Sequence, residues 1–136
     1  QYPLLMASQV YAQVPDRQKQ RQMLEWVYEQ FLDDPGRRWR WLAHAAIMAK
    51  HRLGDLPLAL RYARALNERA TSSVPNWARQ MHIFLLEDLG AHETAKILLG
   101  GLLASGAVSD PREVRFLLQR LNAMKSAEIS SMPLRK

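Results

Sequence analysis

The sequence predicts an all-helical chain, an α-α superhelix of stacked antiparallel helix hairpins with about seven helices. Strand signals are nearly missing: no stretch alternates apolar and polar residues over five or more positions with β-branched enrichment. Helix breakers recur at short intervals and cut the chain into segments of about 10 to 18 residues. The chain also matches itself after a shift of 36 residues, which superposes Trp41 on Trp77, Ile47 on Ile83, Leu53 on Leu89, Gly54 on Gly90, Ala59 on Ala95, Leu66 on Leu102, Ser73 on Ser109 and Pro75 on Pro111. Those eight identities in 35 positions exceed the roughly two or three that an Ala- and Leu-rich composition supplies by chance.

Taken in order, the segments read as helices near 3–13, 16–33, 37–53, 55–70, 75–89, 91–105 and 110–124. The breaks fall at Val14-Pro15-Asp16, Asp34-Pro35-Gly36, Gly54-Asp55, Thr71 to Pro75, Gly90, Gly106 and Asp110-Pro111. Asp16, Asp55 and Asp110 stand where a side-chain oxygen can accept from the free N–H groups of a first turn. Pro57, Pro75 and Pro111 fall in first turns, where the missing donor costs nothing. The units are 3–33, 37–70 and 75–105 with a terminal helix 110–124, together one domain over 1–124, and the first unit has lost the Trp and Gly of the others. Periodicity fades after Leu121, so 125–136 reads as a flexible tail.

Each unit is a helix, a Gly turn, a second helix and a Pro-marked joint. Along 37–53, Trp41, Leu42, Ala45, Met48, Ala49 and Leu53 share one side, opposite Arg40, His44, Ile47, Lys50 and His51. Along 75–89, Trp77, Ala78, Met81, Phe84, Leu85 and Leu89 oppose Asn76, Arg79, Gln80, Ile83 and Glu87. Trp41 and Trp77 are therefore expected as core anchors filling the space between hairpins, with a binding platform as the other use of such rings. Ile47 and Ile83 are apolar residues on the polar column, which fits either packing between neighbouring first helices or a ridge that touches a peptide. Gly100-Gly101 interrupts a Leu-rich helix and reads as a tight helix crossing, or else as a kink.

The repeat unit resembles the tetratricopeptide repeat, a helix-turn-helix of about 34 residues. Trp41, Ala45 and Met48 followed by Ala59 and Ala63 carry the likeness in one unit. Trp77, Met81 and Phe84 followed by Ala95 and Leu99 carry it in the next, and the Gly54-Asp55 turn matches as well. The resemblance covers about 41–111 and implies an α-solenoid in which first helices line a concave groove.

Composition narrows the function. The 136 residues are 48% hydrophobic and 24% charged with no cysteine, which excludes a disordered tail, a disulfide scaffold, zinc knuckles and thiol catalysis. The net charge of +6 comes from basic residues spread along the chain among acids, without the dense stripe of a dedicated nucleic-acid domain. No run reaches the roughly 18 apolar residues of a membrane span. Gln1 at the start reads as an excised domain or processed product, with further repeats or an anchor possible upstream.

No catalytic or metal site is expected, and no cofactor. His44 and His51 lie seven residues apart, about 10.5 Å along a helix, too far for joint ligation. His82 and His92 lack an H-x3-H or H-E-x-x-H context, and no nucleophile elbow or phosphate-binding glycine loop is present. Asp33-Asp34 and Glu87-Asp88 are neighbours in sequence near helix ends and point apart. The expected function is a non-enzymatic protein-interaction scaffold that takes a peptide or partner helix in the groove, contacted by Arg40, His44, Ile47, His51, Gln80, Ile83 and Glu87. Exposed end units also suggest self-association or adjoining repeats. The alternative is a nucleic-acid-binding helical repeat using the Arg37-Arg38-Trp39-Arg40 cluster, in which bases sit beside an aromatic ring. Trp26 or Tyr28, in an amphipathic segment, stands partly outside the core and could dock a neighbour.

Overall fold

The computed structural model describes residues 16–131, with side chains through Ser126. Among these residues there are six α-helices and no strand: α1 (Arg17–Asp33), α2 (Pro35–His51), α3 (Leu56–Glu68), α4 (Asn76–Asp88), α5 (His92–Ala104) and α6 (Pro111–Ser131). The helix expected over 3–13 lies outside the described residues. By internal contacts the chain divides into a first unit that ends at Leu85 and a second that begins at Leu86, so the boundary falls inside α4.

Local chemistry sets the helix starts. The Asp16 carboxylate accepts from the backbone N–H of Gln18 and Lys19 at 2.9 and 3.2 Å. Asp55 accepts from Leu58 N–H at 3.0 Å, and Asp110 from Arg112 N–H at 2.9 Å. Each bond satisfies a donor that the first turn leaves free. The helices do part at Asp34-Pro35-Gly36, but the break is narrower than the sequence suggested. Pro35 opens α2 as its first residue, where proline is tolerated, and Asp34 alone joins α1 to α2. At the other end α6 runs on to Ser131, beyond the expected stop at 124, because no glycine or proline interrupts it before Pro133.

Consecutive helices pack as in a helical repeat: α1 on α2, α2 on α3, and α5 on α6. The elements recur at the sequence period. A shift of 36 residues carries the bounds of α3 onto those of α5, and carries Gly54 onto Gly90. Both glycines have positive φ, 61° and 88°, a conformation that side-chain-bearing residues avoid, so each ends a helix and lets the chain reverse.

In the first unit α2 is the central helix. It buries Trp41, Leu42, Ala43, Ala45, Ala46, Met48 and Ala49, which covers most of its circumference. The alanines let α1 and α3 approach closely. Facing them are Leu24, Val27 and Phe31 of α1 and Ala59, Tyr62, Ala63 and Leu66 of α3, all fully enclosed. Each large side chain among them contributes roughly 1.5–3 kcal/mol of transfer free energy. Polar ties cross the same layer. Arg21 pairs with Asp55 and Arg61 with Glu25, both at 2.5 Å, and Arg17 donates to the Leu53 carbonyl. The Leu58 N–H first, and then Arg21, hold the Asp55 carboxyl below its ordinary 3.8.

The second unit has a thinner core, built from Leu86, Ala95, Leu99, Val108, Leu117 and Met124. Arg120 of α6 pairs with Glu87. Among the described residues no helix is long and apolar enough to cross a membrane.

Candidate interaction surface

Because α1 and α3 occupy the flanks of α2, one stripe of that helix is left to solvent. Arg37, Arg40, Ile47 and His51 are exposed and His44 is half-buried between them, a spacing of three or four residues that places all five on one face. The stripe runs about 21 Å at 1.5 Å per residue. It carries no carboxylate. Ile47, 44% exposed, is its apolar feature. The Nε2 atom of His44 is enclosed without a hydrogen-bond partner, and burial lowers the pKa of the ring below 6.5. The middle of the stripe is therefore neutral at pH 7, with cations concentrated at its Arg37–Arg40 end.

At that end stands an aromatic pair. Trp39 and Trp77 meet edge to face with ring centroids 5.6 Å apart, and the Arg40 guanidinium lies 5.5 Å from the Trp39 centroid. Such contacts hold a guanidinium in place while leaving donors free for a ligand. The neighbouring loop fixes the geometry. Ser73 Oγ donates to the Gly36 carbonyl at 2.7 Å, and a Cβ at Gly36 would come within 3.2 Å of Thr71 Oγ1. Arg79 of α4 donates to the carbonyls of Val74 and Thr71 at 3.0 and 2.7 Å. The start of α2, the 69–75 loop and the start of α4 are thereby tied together, and that tie brings the two rings into contact. Arg38 faces elsewhere, donating to the Gln30 carbonyl at 2.8 Å and pairing with Asp33 at 3.5 Å.

The residues expected on α4 are not part of an open surface. Ile83 is 3% exposed and Gln80 is buried, so neither forms a ridge beside Ile47. Glu87 is engaged by Arg120 within the second unit. Trp77 also departs from expectation: it is 54% exposed, whereas its repeat mate Trp41 is 6% exposed in the core. The cause is position within the helix. Six residues of α2 precede Trp41, but only Asn76 precedes Trp77 in α4, so its ring leaves the helix in the first turn. The pairing of Trp39 with Trp77 was missed because the 36-residue alignment sets Trp77 against Trp41; the nearby signal was Pro75, which marks the late start of α4.

Other features occupy structural places. His82 is half-buried with Nδ1 2.7 Å from the Arg79 carbonyl oxygen; burial lowers its pKa, with that bond opposing. Tyr28 stacks near Tyr62 at 5.5 Å and carries Arg61 at 4.6 Å over its ring, while Trp26 is exposed. Among the described residues nothing lies within 4 Å of a Cβ built at Gly100 or Gly101, so they make no tight helix crossing there. Among the described residues no three of His, Cys, Asp and Glu gather as a metal ion would require. Comparison with known proteins finds no matching family model, curated relative or solved structure.

Proposed function

We propose that the chain is a non-enzymatic interaction scaffold of tetratricopeptide-like superhelical architecture, and that its receiving surface is the outward stripe of α2 with the Trp39–Trp77 pair at one end. The observation that carries the reading is the stripe itself: one solvent-facing line on an otherwise covered helix, bearing cations, an exposed isoleucine and a braced aromatic pair. A rigid, preformed surface spares the receptor the entropy of ordering on binding. Its chemistry suits an extended or helical peptide with carboxylates near Arg37 and Arg40 and an apolar side chain for Ile47. Gln80, Ile83 and Glu87 drop out of the contact set.

The test is peptide selection from a displayed random library, followed by tryptophan-fluorescence titration of the winners. Wild type selects acidic peptides bearing an apolar residue, while Ile47→Asp and Arg40→Glu lose at least tenfold in affinity with helical content unchanged. Unaltered binding by both variants rejects this surface. The exposed Arg37 and the Trp39–Arg40 contact also favour the nucleic-acid reading. Retention of a labelled single strand that falls steeply between 50 and 200 mM salt, on the order of a thousandfold for a multi-phosphate contact, would select that reading instead.

A further inference from the structure

The outward stripe of α2 offers a ligand two apolar contacts that stand well apart. One is Ile47; the other is the corner between Trp39 and Trp77, whose rings are set 70° to each other with centroids at 5.6 Å. Ile47 follows Trp39 by eight positions, about 12 Å along the helix axis at roughly 1.5 Å per residue. Arg37, Arg40 and the half-buried His44 fill the rest of that length. A helical ligand is held by a line of apolar anchors laid into a groove, and a stripe whose exposed apolar side chain is Ile47 provides no such line. An added strand needs a sheet edge, and the described residues contain no strand. Of the common modes that read an apolar side chain, the one left is a polyproline II segment lying against aromatic rings.

Resting on the reading of this stripe as a receiving surface, we propose that its occupant is an acidic segment in polyproline II conformation whose proline ring seats in the Trp39–Trp77 corner. The shape of the corner selects the ring. A flat ring, a nucleobase included, stacks on one face and leaves the second indole untouched, whereas a compact saturated ring meets both walls. The Arg40 guanidinium lies over Trp39, so the open wall is chiefly Trp77, which is 54% exposed. Proline's ring C–H groups face the negative π-cloud favourably, and its nitrogen has no N–H to leave unpaired against it. The corner is braced, because Ser73 Oγ donates to the Gly36 carbonyl and Arg79 to the carbonyls of Val74 and Thr71. The ligand is preorganised too: polyproline II has no internal hydrogen bonds and is populated before binding, which lowers the ordering cost. Its length fits, since at about 3.1 Å per residue the distance to Ile47 takes about four residues. Charge sets the remainder. The stripe carries no carboxylate, and Arg37 keeps a side chain 73% exposed even with Asp34 at 3.8 Å. Carboxylates next to the proline therefore meet the guanidinium groups of Arg37 and Arg40.

Peptides selected on the full chain from a displayed random library, then synthesised with a fluorescent label and titrated by anisotropy, test the inference. Selected peptides carry acidic residues next to a proline, with an apolar residue about four positions away. Replacing that proline by alanine weakens binding roughly tenfold or more on the wild type but less than about twofold on Trp77→Ala, where the wall it meets is already gone. Circular dichroism checks that Trp77→Ala is folded, and Trp77→Leu, apolar but without a π-face, repeats its result. Peptides that need Ile47 and Arg40 yet carry no proline overturn this inference and leave the scaffold reading standing. So does a proline that matters as much on Trp77→Ala as on the wild type. Selection of no peptide, or binding untouched by Ile47→Asp and Arg40→Glu, overturns both. Retention of a labelled oligothymidylate strand in place of any peptide assigns the corner to a stacked base and overturns both as well.

Discussion

Trp41 and Trp77 occupy equivalent places in the 36-residue repeat but opposite environments, and truncating each to alanine measures the difference. Trp41 is 6% exposed among α1, α2 and α3, so Trp41→Ala opens a cavity that cannot collapse and costs about 3–5 kcal/mol. Trp77 has roughly half as much of its surface covered, and solvent fills the place it leaves, so no cavity penalty arises. Its main loss is the edge contact with Trp39, about 0.5–1.5 kcal/mol, plus modest apolar cover. Trp77→Ala should therefore cost about 1–2 kcal/mol. Urea unfolding followed by tryptophan fluorescence suits the comparison: the chain's four tryptophans, Trp26, Trp39, Trp41 and Trp77, all lie in the first unit, so the signal reports that unit alone. A double-mutant cycle of Trp39→Ala with Trp77→Ala should return a coupling near 1 kcal/mol. If Trp77→Ala costs as much as Trp41→Ala, the exposure argument fails and Trp77 is a core anchor after all.

Two further perturbations probe the interior. The Tyr62 hydroxyl is buried without a hydrogen-bond partner, and burial raises its pKa, with the Glu25 carboxylate adding to the effect; Tyr62→Phe removes an unsatisfied polar group and should stabilise the first unit by about 1–2 kcal/mol in the same urea assay, whereas a loss of stability would mean that the hydroxyl is bonded. His44 and His82 both have pKa values lowered from 6.5 by burial, so below pH 6.5 the unfolded chain takes up protons that the folded chain refuses; stability is highest above pH 6.5 and is lost as pH falls toward the folded values, and melting curves from pH 8 to 5 should show that decline, reduced in His44→Gln.

Much of the helical framework was readable because it is set locally. Asp16, Asp55 and Asp110 act on N–H groups two or three residues away, and Gly54 and Gly90 answer to their own φ angles; neither needs knowledge of the rest of the fold. The outward stripe of α2 was readable too, since 3.6-residue periodicity fixes that Arg40, His44, Ile47 and His51 share a face. Periodicity does not say whether a face is covered. Ile83 matches Ile47 in the repeat yet is buried, and Trp77 matches Trp41 yet is exposed, because cover depends on where the helix starts and on what packs against it. Pro35 shows the same limit at shorter range: the residue that breaks a helix interior opens one here, and only the non-helical backbone at Asp34 decides which.

That distinction bears on the proposed surface. A repeat sequence constrains which residues stand together, and packing decides which of those faces is left bare. The α2 stripe is bare because its helix is flanked on two sides, and it carries cations with a braced aromatic pair at one end. Position then decides the outcome of a substitution: Arg40→Glu, on the stripe, should abolish peptide selection, whereas Ile97→Lys, at an exposed site of α5 in the second unit, should leave it unchanged.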